Sequence, residues 1–177
     1  MKSFRQIALS AALTFSAFGA VLYTSCNKDE CKDVVCENGG TCDAGTCKCV
    51  TGYEGTNCQT KWSAKFIKTW TAADKDASGA SLPAYQAIIT AGSSITDIKI
   101  THFSGNNSAG SSYFVNDVNA TITADKITIS KQSPDNDNYT VEGTGTYNSV
   151  DGKITWTYTL GDPTGATVNY TGTWTSN

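Results

Sequence analysis

Residues 31–58, CKDVVCENGGTCDAGTCKCVTGYEGTNC, carry six cysteines: Cys31, Cys36, Cys42, Cys47, Cys49 and Cys58. A segment this short cannot bury a core of its own, and below about 40 residues crosslinks or a metal usually substitute for one. Zinc would call for C-x2-C pairs or nearby histidines. Cys47 and Cys49 are one residue apart, and the single histidine lies at position 102. The cysteines therefore read as disulfides in an exported chain, with their connectivity left open by spacing alone. Gly39, Gly40, Gly52 and Gly55 supply the positive-φ turns that a tightly crosslinked ribbon needs.

The rest of the chain has a different composition. All 7 cysteines fall between 26 and 58, and the remaining residues of the 177 are rich in Thr, Ser, Asn, Asp and Gly with aromatics spaced among them. That asymmetry marks a domain boundary, and the length suits one or two small domains. The net charge is −3 and no arginine follows Arg5. Nucleic acid is excluded as a partner, because phosphate binding needs clustered Lys and Arg.

The spacing C-x4-C-x5-C-x4-C-x-C-x8-C, with Asn38-Gly39-Gly40-Thr41 before the third cysteine and Gly52-Tyr53-x-Gly55 before the last, resembles the epidermal growth factor-like module. The resemblance implies the pairing Cys31–Cys42, Cys36–Cys47 and Cys49–Cys58. Each such bridge closes a loop of roughly 10–12 residues and contributes on the order of 2–4 kcal/mol.

The N-terminus reads as an export signal. Lys2 and Arg5 precede an apolar run, Ile7–Leu22, and small residues follow. The run falls short of the roughly 20 residues that span a bilayer. Leu22-Tyr23-Thr24-Ser25-Cys26 resembles a bacterial lipobox in the loose form of the Bacteroidetes, which makes 1–25 the signal peptide. Cys26 is also the cysteine left over once six fill the module. The resemblance implies acyl chains on Cys26, palmitate among them, and stable anchoring takes about two or more. Asn27-Lys28-Asp29-Glu30 completes the anchor and acidic spacer, 26–30. It resembles the signal that sends such lipoproteins to the outer face of the outer membrane, so the expected partner at this end is the membrane. Asp29 and Glu30 also resemble half of a calcium-binding growth-factor-like module. The other half is missing between the third and fourth cysteines, and no metal is expected.

Residues 62–177 form the second domain. Ile154, Trp156, Tyr158 and Leu160 alternate with threonines, the period-2 pattern of half-buried strands. Val168, Tyr170 and Trp174 share a face in the last run, as do Ile127 and Ile129 after Asp125-Lys126. This reading gives strands at 65–73, 83–91, 95–103, 117–123, 126–132, 139–147, 153–160 and 166–175. Ala124-Asp125, Asn148–Gly152 and Gly161–Gly165 supply turns. Residues 104–116 read as a loop with Tyr113 and Phe114 tucked back. Eight sequential strands make an up-and-down barrel or a sandwich, and an eight-stranded barrel is either filled by side chains or holds one small ligand. Thr69-Trp70-Thr71-Ala72, Tyr85–Ala91, Gly143-Thr144-Gly145-Thr146-Tyr147 and Thr171-Gly172-Thr173-Trp174 are similar to the small calycin-like, lipocalin-like domains of Bacteroidetes lipoproteins. The fold class is thus mainly β, a disulfide-rich growth-factor-like module ahead of an antiparallel meander.

Catalytic signatures are missing. There is no Gly-x-Ser-x-Gly elbow, no His-Glu-x-x-His and no phosphate loop. His102 follows Ile98 and Ile100 in register and is expected to point the same way, but no nucleophile or carboxylate is paired with it by sequence. Asp135-Asn136-Asp137-Asn138 places oxygens at alternate positions yet lacks the Gly and Glu of a calcium loop, and reads as a solvated turn. The candidate ligand-contacting residues are Trp70, Tyr85, His102, Trp156, Tyr158, Tyr170 and Trp174. Large rings of this kind more often form a core. No cofactor is expected. The sequence points first to a non-catalytic binding or adhesion module with a protein or glycan partner. A carrier of a small apolar ligand comes second and a glycan-active enzyme last. A cavity of about 300 Å³ or more lined by aromatics would favour the carrier, and a filled barrel with an exposed apolar patch would favour protein binding.

Overall fold

The computed structural model describes residues 30–105 and 113–176. The expected signal peptide 1–25, the expected lipid site Cys26 and the segment up to Asp29 lie outside the described residues, as do 106–112 of the loop expected at 104–116.

The small module is two short hairpins and three disulfides. β1 (Thr41–Asp43) pairs with β2 (Thr46–Lys48), and β3 (Tyr53–Glu54) pairs with β4 (Thr60–Lys61). The turn Ala44-Gly45 has φ of 47° and 77°, the two positive values that suit the twist of a two-residue hairpin. The bridges are Cys31–Cys42, Cys36–Cys47 and Cys49–Cys58, the pairing that the growth-factor resemblance implies.

Eight strands follow in sequence order: β5 (Thr69–Asp76), β6 (Tyr85–Ala91), β7 (Asp97–Thr101), β8 (Val118–Thr123), β9 (Lys126–Gln132), β10 (Thr140–Asn148), β11 (Lys153–Gly161) and β12 (Thr167–Ser176). Each pairs antiparallel with its neighbour, and β12 closes on β5 from Tyr170↔Asp76 to Ser176↔Trp70. The architecture is therefore a closed up-and-down barrel, not a sandwich, and closure leaves no open sheet edge. A register shift between Val141 and Gly143 marks a bulge where β10 meets β9.

Strand bounds fall close to those read from the sequence, with one shift. The first strand was expected over 65–73 and occupies Thr69–Asp76. Trp62–Lys65 is a single 3-10 turn instead. Its backbone donors are spent locally: Phe66 and Ile67 N–H both donate to Ser63 O, and Trp62 N–H donates to Gly52 O. Extended pairing begins only after Phe66, whose carbonyl accepts Trp70 Nε1–H at 2.8 Å.

The alternation in each strand sends one set of side chains inward. Trp70, Trp156, Trp174, Phe66, Phe103 and Phe114 are buried together with isoleucines of β6 to β9 and β11. Phe103 lies edge-on to Trp156 at 5.3 Å and to Tyr158 at 4.9 Å, and Trp156 and Trp174 are 4.9 Å apart. The barrel has two unlike poles. Residues 62–68, 92–96, 124–125 and 149–152 sit at the proximal pole, beside the disulfide module. Residues 77–84, 133–139 and 162–166 and the described ends of the 102–117 connection sit at the distal pole.

Candidate functional site

A carrier needs an open interior, and this barrel's inward face is crowded with large side chains. Trp70, Trp156 and Trp174 are at most 1% exposed and pack against one another's neighbours as core. Grooves of about 480 and 440 Å³ lie on the outer wall, lined mostly by outward Thr, Ser, Asn and Lys side chains of β7 to β12. Among the described residues the inward positions are taken by these rings and by isoleucines.

Inside that apolar filling sits a carboxylate. Asp74 is 1% exposed and shares the inward parity of Trp70 and Ala72 on β5. Its Oδ2 accepts Tyr85 O–H at 2.8 Å and Tyr158 O–H at 2.7 Å, and its Oδ1 accepts Trp174 Nε1–H at 3.2 Å. Burial of a carboxylate is tolerated only when its lone pairs are satisfied in this way. Gly172, opposite on β12, makes room, since a Cβ there would collide with Asp74 Oδ1. Burial first, and then the Asp74 charge, push the Tyr85 and Tyr158 hydroxyls well above the usual phenol range. Tyr170 stacks on Tyr158 with ring centroids 5.1 Å apart. Trp156 Nε1 is buried with no hydrogen-bond partner among the described residues.

His102 requires a correction. Its position after Ile98 and Ile100 suggested an inward side chain, but it is exposed. The backbone turns to a φ of 60° at His102, which ends β7 and breaks the alternation. Phe103 takes the inward place instead and is fully buried.

The distal pole has the composition of a contact surface. Val115 is 90% exposed, Val168 45% and Tyr139 37%. Tyr113 lies edge-on to Tyr139 at 5.8 Å and to buried Phe114 at 5.0 Å. Partial burial, followed by neighbouring Tyr139, Tyr170, Asp137 and Asp162, raises the Tyr113 hydroxyl above its ordinary pKa. Asp135 ties two connections together: its two oxygens accept Val115 N–H at 2.9 Å and Asn116 N–H at 2.8 Å. Asp137 accepts Tyr139 N–H, and Asp162 accepts the N–H groups of Thr164 and Ala166. The aspartates expected as a solvated turn at 135–138 thus act as clamps within the pole. Asp76, Asp117, Asp135, Asp137 and Asp162 lie at this end, and the connections 77–84, 102–117, 133–139 and 162–166 contain no Lys or Arg, although Lys75 stands beside Asp76 and forms a β-bridge with Ser81.

Tyr85, Tyr158, Tyr170 and Trp174 were named separately as candidate ligand contacts; the structure puts Tyr85, Tyr158 and Trp174 on Asp74 and stacks Tyr170 on Tyr158. Asp74 itself was missed, although an acid in inward register with Trp70 and Ala72 is a readable signal. Val115 and Tyr139 were missed for want of any local pattern, and Asp135, singled out in 135–138, was read as a solvated turn with no sign of its bonds to Val115 and Asn116. Among the described residues no helix is long and apolar enough to cross a membrane. Together the fold and this pole define a disulfide-rich module carrying a filled eight-stranded antiparallel barrel. Compared with protein-family models and with curated proteins, the chain matches none.

Proposed function

We propose that this chain is a non-catalytic binding or adhesion module that engages a protein or glycan through the distal pole of the barrel. The carrying observation is the contrast between a barrel whose inward face is taken by aromatic rings and a pole whose described residues expose Val115, Tyr139 and Val168 among several aspartates. Interfaces commonly place aromatic and aliphatic contacts at the centre and charge at the rim. A mainly acidic end favours a partner of opposite charge, through faster encounter and rejection of wrong partners. In this reading Cys26 carries the lipid, the chain sits on the outer face of the outer membrane, and the disulfide module stands between anchor and barrel. The sequence of 1–30 supports that arrangement.

The test is adhesion by cells that display the full chain. Wild type should bind protein- or glycan-coated surfaces. Val115→Arg with Tyr139→Ala should bind at least about tenfold less, the size expected when two central contacts are lost. Equal binding by the double variant would remove the distal pole from the reading. Cys26→Ala should shift the protein out of the membrane fraction with its disulfides intact. Retention there would show that Ile7–Leu22 holds the chain as an uncleaved segment.

A further inference from the structure

We infer that Asp74, buried in the barrel, is a positioning residue for the distal pole and acts on it through Tyr85 and Ser104. The inference rests on the distal pole being the contact surface. A continuous path of hydrogen bonds connects the two. Asp74 Oδ2 accepts Tyr85 O–H at 2.8 Å. The Tyr85 oxygen in turn accepts Ser104 N–H at 3.1 Å. Ser104 O accepts Tyr113 N–H at 3.0 Å, and Tyr113 is the ring against which Tyr139 packs.

The path has directional logic. A phenol hydroxyl both donates and accepts. Because Asp74 accepts the hydrogen bond from Tyr85 O–H, the phenol lone pair faces Ser104 N–H. Without that acceptor the hydroxyl is free to rotate and offer its own proton elsewhere. Ser104 needs the hold, since it sits at a φ of 55° and His102 at 60°, a region that residues with a Cβ adopt only when their surroundings enforce it. Phe103, between them, is fully buried against Trp156, Tyr158 and Trp174. Tyr158 also donates to Asp74 at 2.7 Å and shares a longer hydrogen bond of 3.4 Å with the Ser104 hydroxyl, a side-chain contact that leaves Ser104 N–H to Tyr85. The two tyrosines therefore share one carboxylate, and only Tyr85 passes its orientation on to Ser104 N–H.

Amide hydrogen exchange on the full chain, read residue by residue, tests this without any partner. Tyr85→Phe removes the acceptor of Ser104 N–H. It should raise exchange at Ser104 and Tyr113 by about tenfold or more, with the amides of β10 and β11 unchanged, as expected of a local opening. Asp74→Leu removes both acceptor oxygens at a similar side-chain volume, the one that takes Tyr85 O–H included, and should reproduce the effect. Tyr158→Phe, equally close to Asp74, should leave Tyr113 protected. Wild-type protection at Tyr113 in Tyr85→Phe would overturn the inference. So would an equal rise in exchange across all eight strands, since that is the signature of a merely structural residue. Should Asp74→Leu fail to fold, the Tyr85 hydroxyl proton of the wild type decides: a slowly exchanging, downfield signal is expected of an O–H held on Asp74, and a freely exchanging one would overturn the inference. A failed relay leaves the adhesion result of Val115→Arg with Tyr139→Ala standing, so the two readings fail separately.

Discussion

Asp74 shows how much one residue constrains. A carboxylate at 1% exposure with neutral donors on both oxygens fixes the inward faces of β5, β6, β11 and β12 at once. It also forces its donors to stay protonated, and that has a pH consequence. Burial, reinforced by the charge of Asp74, holds Tyr85 and Tyr158 well above the usual phenol range. In the unfolded chain both tyrosines titrate near about 10. Above that value the unfolded state releases protons that the folded state keeps, so the folded state binds more protons and stability falls as pH rises. The contribution is fully present below about pH 10 and declines from there toward the folded values. Urea titrations should give an even midpoint up to about pH 9 and a falling one beyond about pH 10. Tyr158→Phe, which deletes one titrating group, should flatten that fall. An alkaline slope as steep as wild type in Tyr158→Phe would show that the loss comes from other groups.

At the scale of elements, β11 carries the clearest pattern in the chain. Ile154, Trp156, Tyr158 and Leu160 are buried while Thr155 and Thr157 are exposed. Trp156→Ala should cost about 3–5 kcal/mol, the usual price of emptying a packed indole site. Thr157→Ala should stay within about 0.5 kcal/mol, since its hydroxyl meets only Thr144 at 3.3 Å on the outer face. Denaturant midpoints of the two variants measure register directly, because a slip of one residue would exchange the two faces. Similar costs for both would mean that β11 does not hold this register. All eight strands were legible for the reason that makes the comparison work: each strand buries only one face, and that imposes a period of two on the residues. The start of β5 was not legible, because Trp62–Phe66 spends its donors on Ser63 and Gly52, a choice set by the neighbouring module. Asp74 fell just beyond the strand drawn to residue 73. Asp135 and Val115 are 20 residues apart and bond through backbone N–H groups, which leave no periodic mark on the sequence.

The whole molecule places its two poles under different constraints. At the proximal pole the disulfide module meets the barrel closely: Gly52, at a φ of 95°, lies so near Ile95 that a Cβ would approach Cγ1 to 2.7 Å. Lys65, 15% exposed, bridges Glu54 of the module at 2.9 Å and Asp125 of the barrel at 2.6 Å. Burial works against its charge, but the hydrogen bonds to Asp125 and Glu54 outweigh that and raise its pKa. Whether the barrel depends on this junction is a question of magnitude. Ion pairs of this partly solvated kind contribute about 0–1 kcal/mol each. The barrel has three buried tryptophans of its own, each comparable to about 3–5 kcal/mol on truncation. Its closure, from Tyr170↔Asp76 to Ser176↔Trp70, uses no residue of the module. Reductant should therefore unfold residues 30–61, which lack a core beyond their bridges, while 62–176 keeps its β circular dichroism and its protected Trp fluorescence. The barrel's own urea transition should survive, lowered by no more than about 3 kcal/mol, the scale of the lost ion pairs and the exposed Ile95 side chain. Gly52→Val with disulfides intact should produce a shift of the same sign by wedging the junction apart at Ile95. If reductant instead abolishes both sets of signals in one cooperative step, the module is part of the barrel's folding unit, and the distal pole would then be displayed by a single rigid body.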